Sequence, residues 1–287
     1  MSHTHRSYLI SLHIAVLLLG MTGLFGKFLS LSPFTIIAGR SFFTVLFLSL
    51  SLLILKVSFH VGNRGNQMAL IASGVLLSFH WFAFFHSIQL STVAVGVIGF
   101  STYPVFVTFL EPLLFRETLR LKDVFSGVLV FLGLLCVVPE VDLSSSRMEA
   151  LGWAVLSGAI LALFTILNRR LVRDNHFLMI TLSQHGTATL VTLPIVAWSG
   201  EWPAQGEVGL LLLLGVLFTA IPQALLVRGL KVVKAQVASV LVGLEPLYSI
   251  LFAMILLNEF PPLQTLLGGA IIGLAVVLAS GSQQKEL

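Results

Sequence analysis

Residues 244–278 read LEPLYSILFAMILLNEFPPLQTLLGGAIIGLAVVL, and residues 103–133 read YPVFVTFLEPLLFRETLRLKDVFSGVLVFLG. Aligned on their prolines, Pro246 on Pro104, they place Glu259 on Glu117 and Gly269 on Gly127. Both copies therefore carry P-x12-E-x9-G. Matched leucines mean little between apolar helices, whereas a proline, an acid and a glycine repeated at one spacing mark a duplicated segment. Each copy is two apolar blocks joined by a short turn. At 1.5 Å per residue, about 20 apolar residues span the hydrocarbon core of a bilayer.

Working outward, apolar blocks run at about 9–29, 34–55, 67–88, 92–114 and 121–139. The polar stretch PEVDLSSSRME (139–149) follows, and a second set runs at about 150–168, 177–198, 208–227, 236–257 and 263–280. This predicts an all-α polytopic membrane protein of ten transmembrane helices. The units are a first repeat over 1–139, an external linker at 140–149, a second repeat over 150–280 and a cytoplasmic tail at 281–287. The first block is too long for the apolar core of a signal peptide and no A-x-A-like site follows it, so it reads as a retained helix.

The chain is 57% hydrophobic and only 10% charged. A soluble domain carries roughly 25% charged residues, so this chain cannot cover a water-facing surface, and its apolar content excludes intrinsic disorder. A single cysteine, Cys136, excludes an internal disulfide and a CxxC metal site. The net charge of +4 does not point to nucleic acid, because the basic residues lie in short runs between apolar blocks. With the N-terminus inside, thirteen of the sixteen Lys and Arg fall on inner segments. Arg147 alone falls outside, and Lys27 and Arg40 fall within helices. That is a strong positive-inside asymmetry with both termini cytoplasmic.

Five helices per copy is an odd number, so the second copy enters the membrane upside down. The loops agree. Segment 115–122 holds Arg116, Arg120 and Lys122, while its counterpart at 258–262 holds no basic residue; segment 228–235 is basic, and its counterpart at 86–92 is not. Inverted repeats of this kind typify secondary transporters, whose sites lie near the midplane between the repeats.

The two quoted segments, with FGK at 25–27, Pro33 and Arg40, resemble the EamA repeats of the drug/metabolite transporter superfamily over nearly the whole chain. The resemblance implies a ten-helix carrier in the bacterial inner membrane. A central cavity would be lined by helices 1, 3, 4, 6, 8 and 9. The chain would work by alternating access as an exporter of small metabolites such as amino acids, with no cofactor. An intramembrane enzyme, a channel or a sensor is the alternative, although no nucleophile–base pair, paired aspartates or HExxH motif is present.

Charges within a membrane cost at least about 2.5–3.5 kcal/mol on insertion scales, so each needs a reason. Glu245, near mid-depth before Pro246, reads as a contact for a cationic group or a proton, or as an ion-pair partner of Arg40 or Lys27. Arg40 reads as the holder of a carboxylate or phosphate, or as a snorkelling arginine that fixes its helix. Lys27 has the same two readings. In FHWFAFFHSIQ (79–89), His80 and Trp81 cannot face the same way, and one of them is expected on the cavity; His86 reads as an interface anchor. Tyr103 stands at the repeat position of Glu245. Pro104, Pro222 and Pro246 are expected as kinks at hinge depth, and Glu117 and Glu259 as structural acids closing their hairpin turns. The GxxxG of Gly269 and Gly273 reads as a packing or homodimer face. No His, Cys, Asp and Glu spacing suggests a metal. Substrate and lipid are the partners expected, with no nucleic acid. Cysteines placed at Ser145 and Ser282 should label from opposite sides of the membrane; labelling of both from one side overturns this topology.

Overall fold

A computed structural model describes residues 3–57, 64–115, 121–137, 146–231 and 241–281. Residues 140–145 of the linker, the tail from 282, Glu117 and the first residues of the ninth block lie outside the described residues. Among the described residues every regular element is helical. The first repeat holds α1 (His3–Gly20), a 3-10 turn (Thr22–Leu24), α2 (Phe25–Phe28), α3 (Pro33–Ile54), α4 (Arg64–Leu90), α5 (Val93–Phe100), α6 (Tyr103–Phe115) and α7 (Leu121–Val137). The second holds α8 (Ser146–Asp174), α9 (Phe177–Ser199), α10 (Gln205–Gly215), a π-helical segment (Val216–Ala220), α11 (Ile221–Gly229), α12 (Glu245–Leu256) and α13 (Leu263–Gly281). Among the described residues six rods, at 10–28, 33–54, 64–90, 93–114, 146–174 and 205–229, are long and apolar enough to cross a membrane. Apolar side chains such as Leu53, Phe79, Phe131, Leu190, Ile255 and Val277 stand exposed around the bundle, as a lipid-facing belt requires.

Local sequence sets where the rods start and stop. Ser32 accepts from Thr35 N–H and Pro33 opens α3, an N-cap followed by the residue that needs no amide partner. Thr92 caps α5 in the same way through Val95 N–H. At the far ends, Gly200 closes α9 with φ 71° and Asn258 follows α12 with φ 53°, both left-handed, the conformation that glycine and asparagine tolerate best.

Packing follows the duplication. α3 lies along its repeat counterpart α9, and α7 along its counterpart α13, while α5 of the fourth span meets α12 of the ninth. The contact of α4 with α8 has its image in the contact of α11 with α1. This is the pattern of a pseudo-two-fold axis between inverted copies. The main core, with Phe25, Ile37, Phe85, Phe164 and Phe218, fills the middle. A separate cluster of Ile98, Val130, Leu151 and Ile272 seats α7 and α13 at the side.

The prolines depart from the expectation of kinked, continuous helices. The fourth span is interrupted at Ser101 and Thr102, and the ninth at Gly243 and Leu244, the same repeat position. Val105 N–H bonds Thr102 O as Leu247 N–H bonds Leu244 O, and Phe106 and Tyr248 repeat the match one residue on. Pro222 follows the π segment directly within the 205–229 rod, whereas Pro104 and Pro246 sit in the first turn of a new helix. In that first turn a missing N–H costs no hydrogen bond. Pro112 and Pro194 are the prolines that lie inside helices. The GxxxG pair also divides: a side chain at Gly269 would meet Ile98 of the same chain, and one at Gly273 would meet open space.

The closest approach of the two repeats beside the π segment is at Gly215, where a Cβ would stand 2.6 Å from Arg40 O and 2.8 Å from Phe43 Cβ. Neither neighbour is the loose end of a side chain. Gly215→Ala is expected to destabilise the protein by about 1–3 kcal/mol through overpacking. The measurement is the unfolding midpoint in detergent, with Gly206→Ala, where a Cβ meets nothing within 4 Å, as the reference that should not fall.

Candidate functional site

The interruptions gather around one cavity. Its lining runs from Thr22 and Arg40 through Trp81, Tyr103 and Glu245 to Leu230. Free volume is about 70 Å³, room for roughly five waters at 10–15 Å³ each. The expected helices contribute, and α3 joins them through Arg40. His80 and Trp81 both reach the cavity, against the expectation that only one would, because the space wraps around α4 and meets two neighbouring faces of it.

Arg40 is fully buried. Its Nε and Nη2 donate to Thr219 Oγ1 at 3.1 and 2.7 Å, and its guanidinium carbon lies 3.7 Å from the centroid of the Trp81 ring. Cation–π contact of this kind is worth about 2 kcal/mol or more when desolvated. Nη1 has no hydrogen-bond partner. Thr219 belongs to the π segment and donates to Leu214 O, five residues back, at 2.7 Å. Two further carbonyls of this region are taken from across the interface: Phe218 O by Thr22 at 3.2 Å, and Gly215 O by Thr44 at 2.7 Å. The wound-out turn is thus held by threonines of the first repeat, and it holds Arg40 in return.

Glu245 opens α12 and is buried on the cavity wall. Among the described residues it forms no ion pair within 4.0 Å and no hydrogen bond, so the direct pairing with Arg40 or Lys27 is not made. Arg40 is the charge it interacts with across the space. Tyr103, its repeat counterpart, bonds Thr165 Oγ1 at 3.2 Å. His80 Nδ1 lies 2.8 Å from Ser157 Oγ and 3.1 Å from Ser157 O, which ties α4 to α8. His86 stacks on Phe82 outside the cavity.

Lys27 stands apart from this group. Its Nζ donates to Ser91 O at 2.6 Å, in a polar hollow shared with Gln89, Ser32 and Glu201. Here the chain closes one end of the bundle. Glu201 follows the left-handed Gly200, accepts from Ser32 N–H at 2.7 Å and from Thr35 Oγ1 at 2.9 Å, and so caps α3. Glu259 follows the left-handed Asn258 and accepts from Val93 N–H at 2.9 Å, which caps α5. Both carboxylates belong to the second repeat and both helix starts to the first. Glu259 therefore bridges the repeats, where its own hairpin turn was the expected partner. Burial acts to raise the Glu201 carboxyl, but the hydrogen bonds from Ser32 and Thr35 together outweigh it and hold the group below its ordinary value. At the opposite end the buried Glu111 pairs with Arg169 of α8.

Sequence reasoning missed Thr219, Glu201 and the buried amides. Gln184 donates to Ser73 Oγ at 3.0 Å and to Asn168 Oδ1. His185 packs on Trp81 with ring centroids 5.2 Å apart. A signal for Thr219 existed in its place three residues before Pro222. Glu201 looked like an ordinary loop acid. Among the described residues no group of His, Cys, Asp and Glu could hold a metal.

Comparison with known proteins agrees with this architecture. A crystal structure with 15% identity superposes with a TM-score of 0.73, covering 98% of this chain and 99% of that one. An uncharacterized transporter YxxF of Bacillus subtilis (strain 168) is 24% identical over 277 residues, 94% of this chain and 88% of the relative. The S-adenosylmethionine uptake transporter of Rickettsia prowazekii (strain Madrid E) is 23% identical over 222 residues, 76% of this chain and 73% of the relative. The EamA-like transporter family matches twice, at residues 6–138 and 148–281. This double match, on a helical bundle with repeat-related breaks around one cavity, makes the chain a multi-pass membrane protein of the EamA-like transporter family.

Proposed function

We propose that the chain is a secondary carrier that exports small organic metabolites across the bacterial inner membrane by alternating access. Its basic end and both termini would face the cytoplasm. The observation that carries this reading is the cavity between inverted repeats, lined by opposite charges and tied shut at one end. Lys27, Gln89, Glu201 and Glu259 make the ties at the end poor in basic residues. The cavity lining extends away from them to Asn168 and Leu230, near the end that positive-inside counting places in the cytoplasm. A cavity loaded from that side suits export. A relative named for uptake of S-adenosylmethionine supports a small organic cargo, although its name gives the opposite direction. Family membership favours a transporter over the intramembrane enzyme.

In this reading Glu201 and Glu259 are the outer gate. Each tie is a carboxylate at a helix N-terminus, worth about 0.3–1 kcal/mol for the charge–dipole part and about 1.5–3 kcal/mol for a charge-assisted hydrogen bond. Such ties can break and re-form within a transport cycle. Tight salt bridges would not be needed.

Two outcomes follow. Reconstituted in liposomes, the protein should give saturable flux and counterflow when labelled amino acids, nucleosides and organic cations are screened. Flux linear in concentration, without counterflow, would identify a channel. The Glu201 tie should also depend on pH. Its carboxyl is held below the ordinary 4.5, so its contribution is complete above that value and is lost as pH falls through the lowered one. A cysteine at the buried Leu31 should therefore gain accessibility to an external pyridyl disulfide, which reacts with thiols in acid, during exposure below pH 4.5. Glu201→Gln should be accessible at neutral pH and lose the acid step.

A further inference from the structure

We infer that the cavity selects a zwitterion, with the solute's anionic group on Arg40 Nη1 and its cationic nitrogen on the Glu245 carboxylate; this rests on the carrier reading above. Two observations lead to it. Arg40 is fully buried, yet Nη1 lacks any hydrogen-bond partner. Glu245 is buried on the same cavity, and among the described residues no group bonds it. A buried charge stripped of water carries a desolvation cost of several kcal/mol unless partners compensate it. Neither charge has a full set of partners among the described residues, and the two do not meet each other.

The chemistry of the cargo follows by elimination. An anion satisfies Arg40 and is repelled by Glu245. A cation does the reverse. A neutral solute leaves both groups without a charged partner in a largely apolar cavity, where an unmade charged hydrogen bond is costly. Only a solute with both charges completes both groups, and it leaves the net charge of the site unchanged as it crosses the apolar core. The rest of the wall, with Phe84, Phe100 and Phe164, accepts an apolar side group.

The protein also fixes where the anionic group must lie. Two of the three guanidinium nitrogens are committed to Thr219, and one face of the guanidinium lies on Trp81. Nη1 is the donor left over. Thr219 is thus a positioning residue, and the π segment of the second repeat sets the specificity of an arginine of the first. The equivalent stretch of the first repeat, around Gly74–Ser78, is ordinary α-helix, so the recognition is built on one side only. π-Bulges are often retained at functional sites.

The test uses the full-length protein in lipid nanodiscs and liposomes. The probes are zwitterionic amino acids from alanine to phenylalanine, each matched with the amine lacking its carboxylate and the acid lacking its amine. Thermal stabilisation reports binding, and inhibition of zwitterion counterflow reports use of the transport site. At least one zwitterion should bind ten-fold or more tightly than either of its halves. Arg40→Gln should erase the preference for the zwitterion over its amine, and Glu245→Gln the preference over its acid. If those variants fail to fold, Thr219→Val carries the test. It should weaken the zwitterion five- to ten-fold, leave the amine unchanged and keep the maximal rate, with Thr219→Ser restoring the wild-type value; a merely structural role for Thr219 would change all probes alike. Equal or tighter binding of a single-charge probe, or no binding by any zwitterion, overturns the inference. Neither result touches the carrier reading, which fails on its own terms if a bound solute crosses without saturation or counterflow.

Discussion

Inside a bilayer a peptide group without a partner costs several kcal/mol, and this chain breaks its helices in the one place where that cost is highest. The breaks at Thr22–Leu24, Ser101–Thr102 and Gly243–Leu244 border the central cavity, and the π segment at Val216–Ala220 reaches it through the bond of Thr219 to Arg40. They persist because hydroxyl side chains supply what the helices give up. Ser249 takes Gly20 O across the interface, Thr22 takes Phe218 O, and Ser101 and Thr102 turn back onto Val97 O and Gly99 O. Two of these bonds run between repeats, so each half supplies part of what the other's broken segments need. Irregular backbone at this depth and a binding cavity are two aspects of one constraint: the first is tolerated where the second gives it polar surroundings.

The same constraint explains why threonine and serine matter more here than the charged residues that stand out in a hydropathy scan. Arg40 draws attention as a buried cation, but its orientation comes from Thr219, and Thr219 is available because a π turn offsets the ladder by one residue. Thr44 bonds both Arg40 O and Gly215 O, and so locks the backbone on either side of that arrangement. Substituting apolar isosteres at these hydroxyls would strand carbonyls as well as remove contacts, and the first effect is the larger one.

Much of this was legible in the sequence. A proline, an acid and a glycine at one spacing revealed the duplication, and an odd number of blocks with exchanged loop charges revealed its inversion. Arg40, His80, Trp81, Tyr103 and Glu245 are drawn to one cavity because polar groups in apolar helices have few other places to go. Lys27 had another place, the half-buried Ser91 carbonyl at the rim. What could not be read was local winding. Pro104 and Pro246 announce a disturbance, yet the same residue starts a helix or bends one depending on whether the preceding turn is already broken, which tertiary hydrogen bonds decide. The π segment has only an indirect mark, Pro222 just beyond it, since Val216–Ala220 is otherwise as apolar as its neighbours. Glu201 was unreadable for a different reason: its partners lie 166 and 169 residues away.

The two carboxylate caps have a consequence for the state in which they let go. A helix start that loses its acid regains free N–H groups and the positive end of its dipole. Releasing Glu201 and Glu259 would leave Ser32, Val93 and the turns behind them as a pair of bare anion acceptors at the rim of the opened mouth. In the proposed transport cycle the doorway would then differ electrically open and shut. While shut it is neutralised from within, and while open it would favour an anionic group passing through it, in competition with the deeper Arg40. Such a relay would share the dehydration of a charged end between two stations, with the caps re-forming once the group had passed.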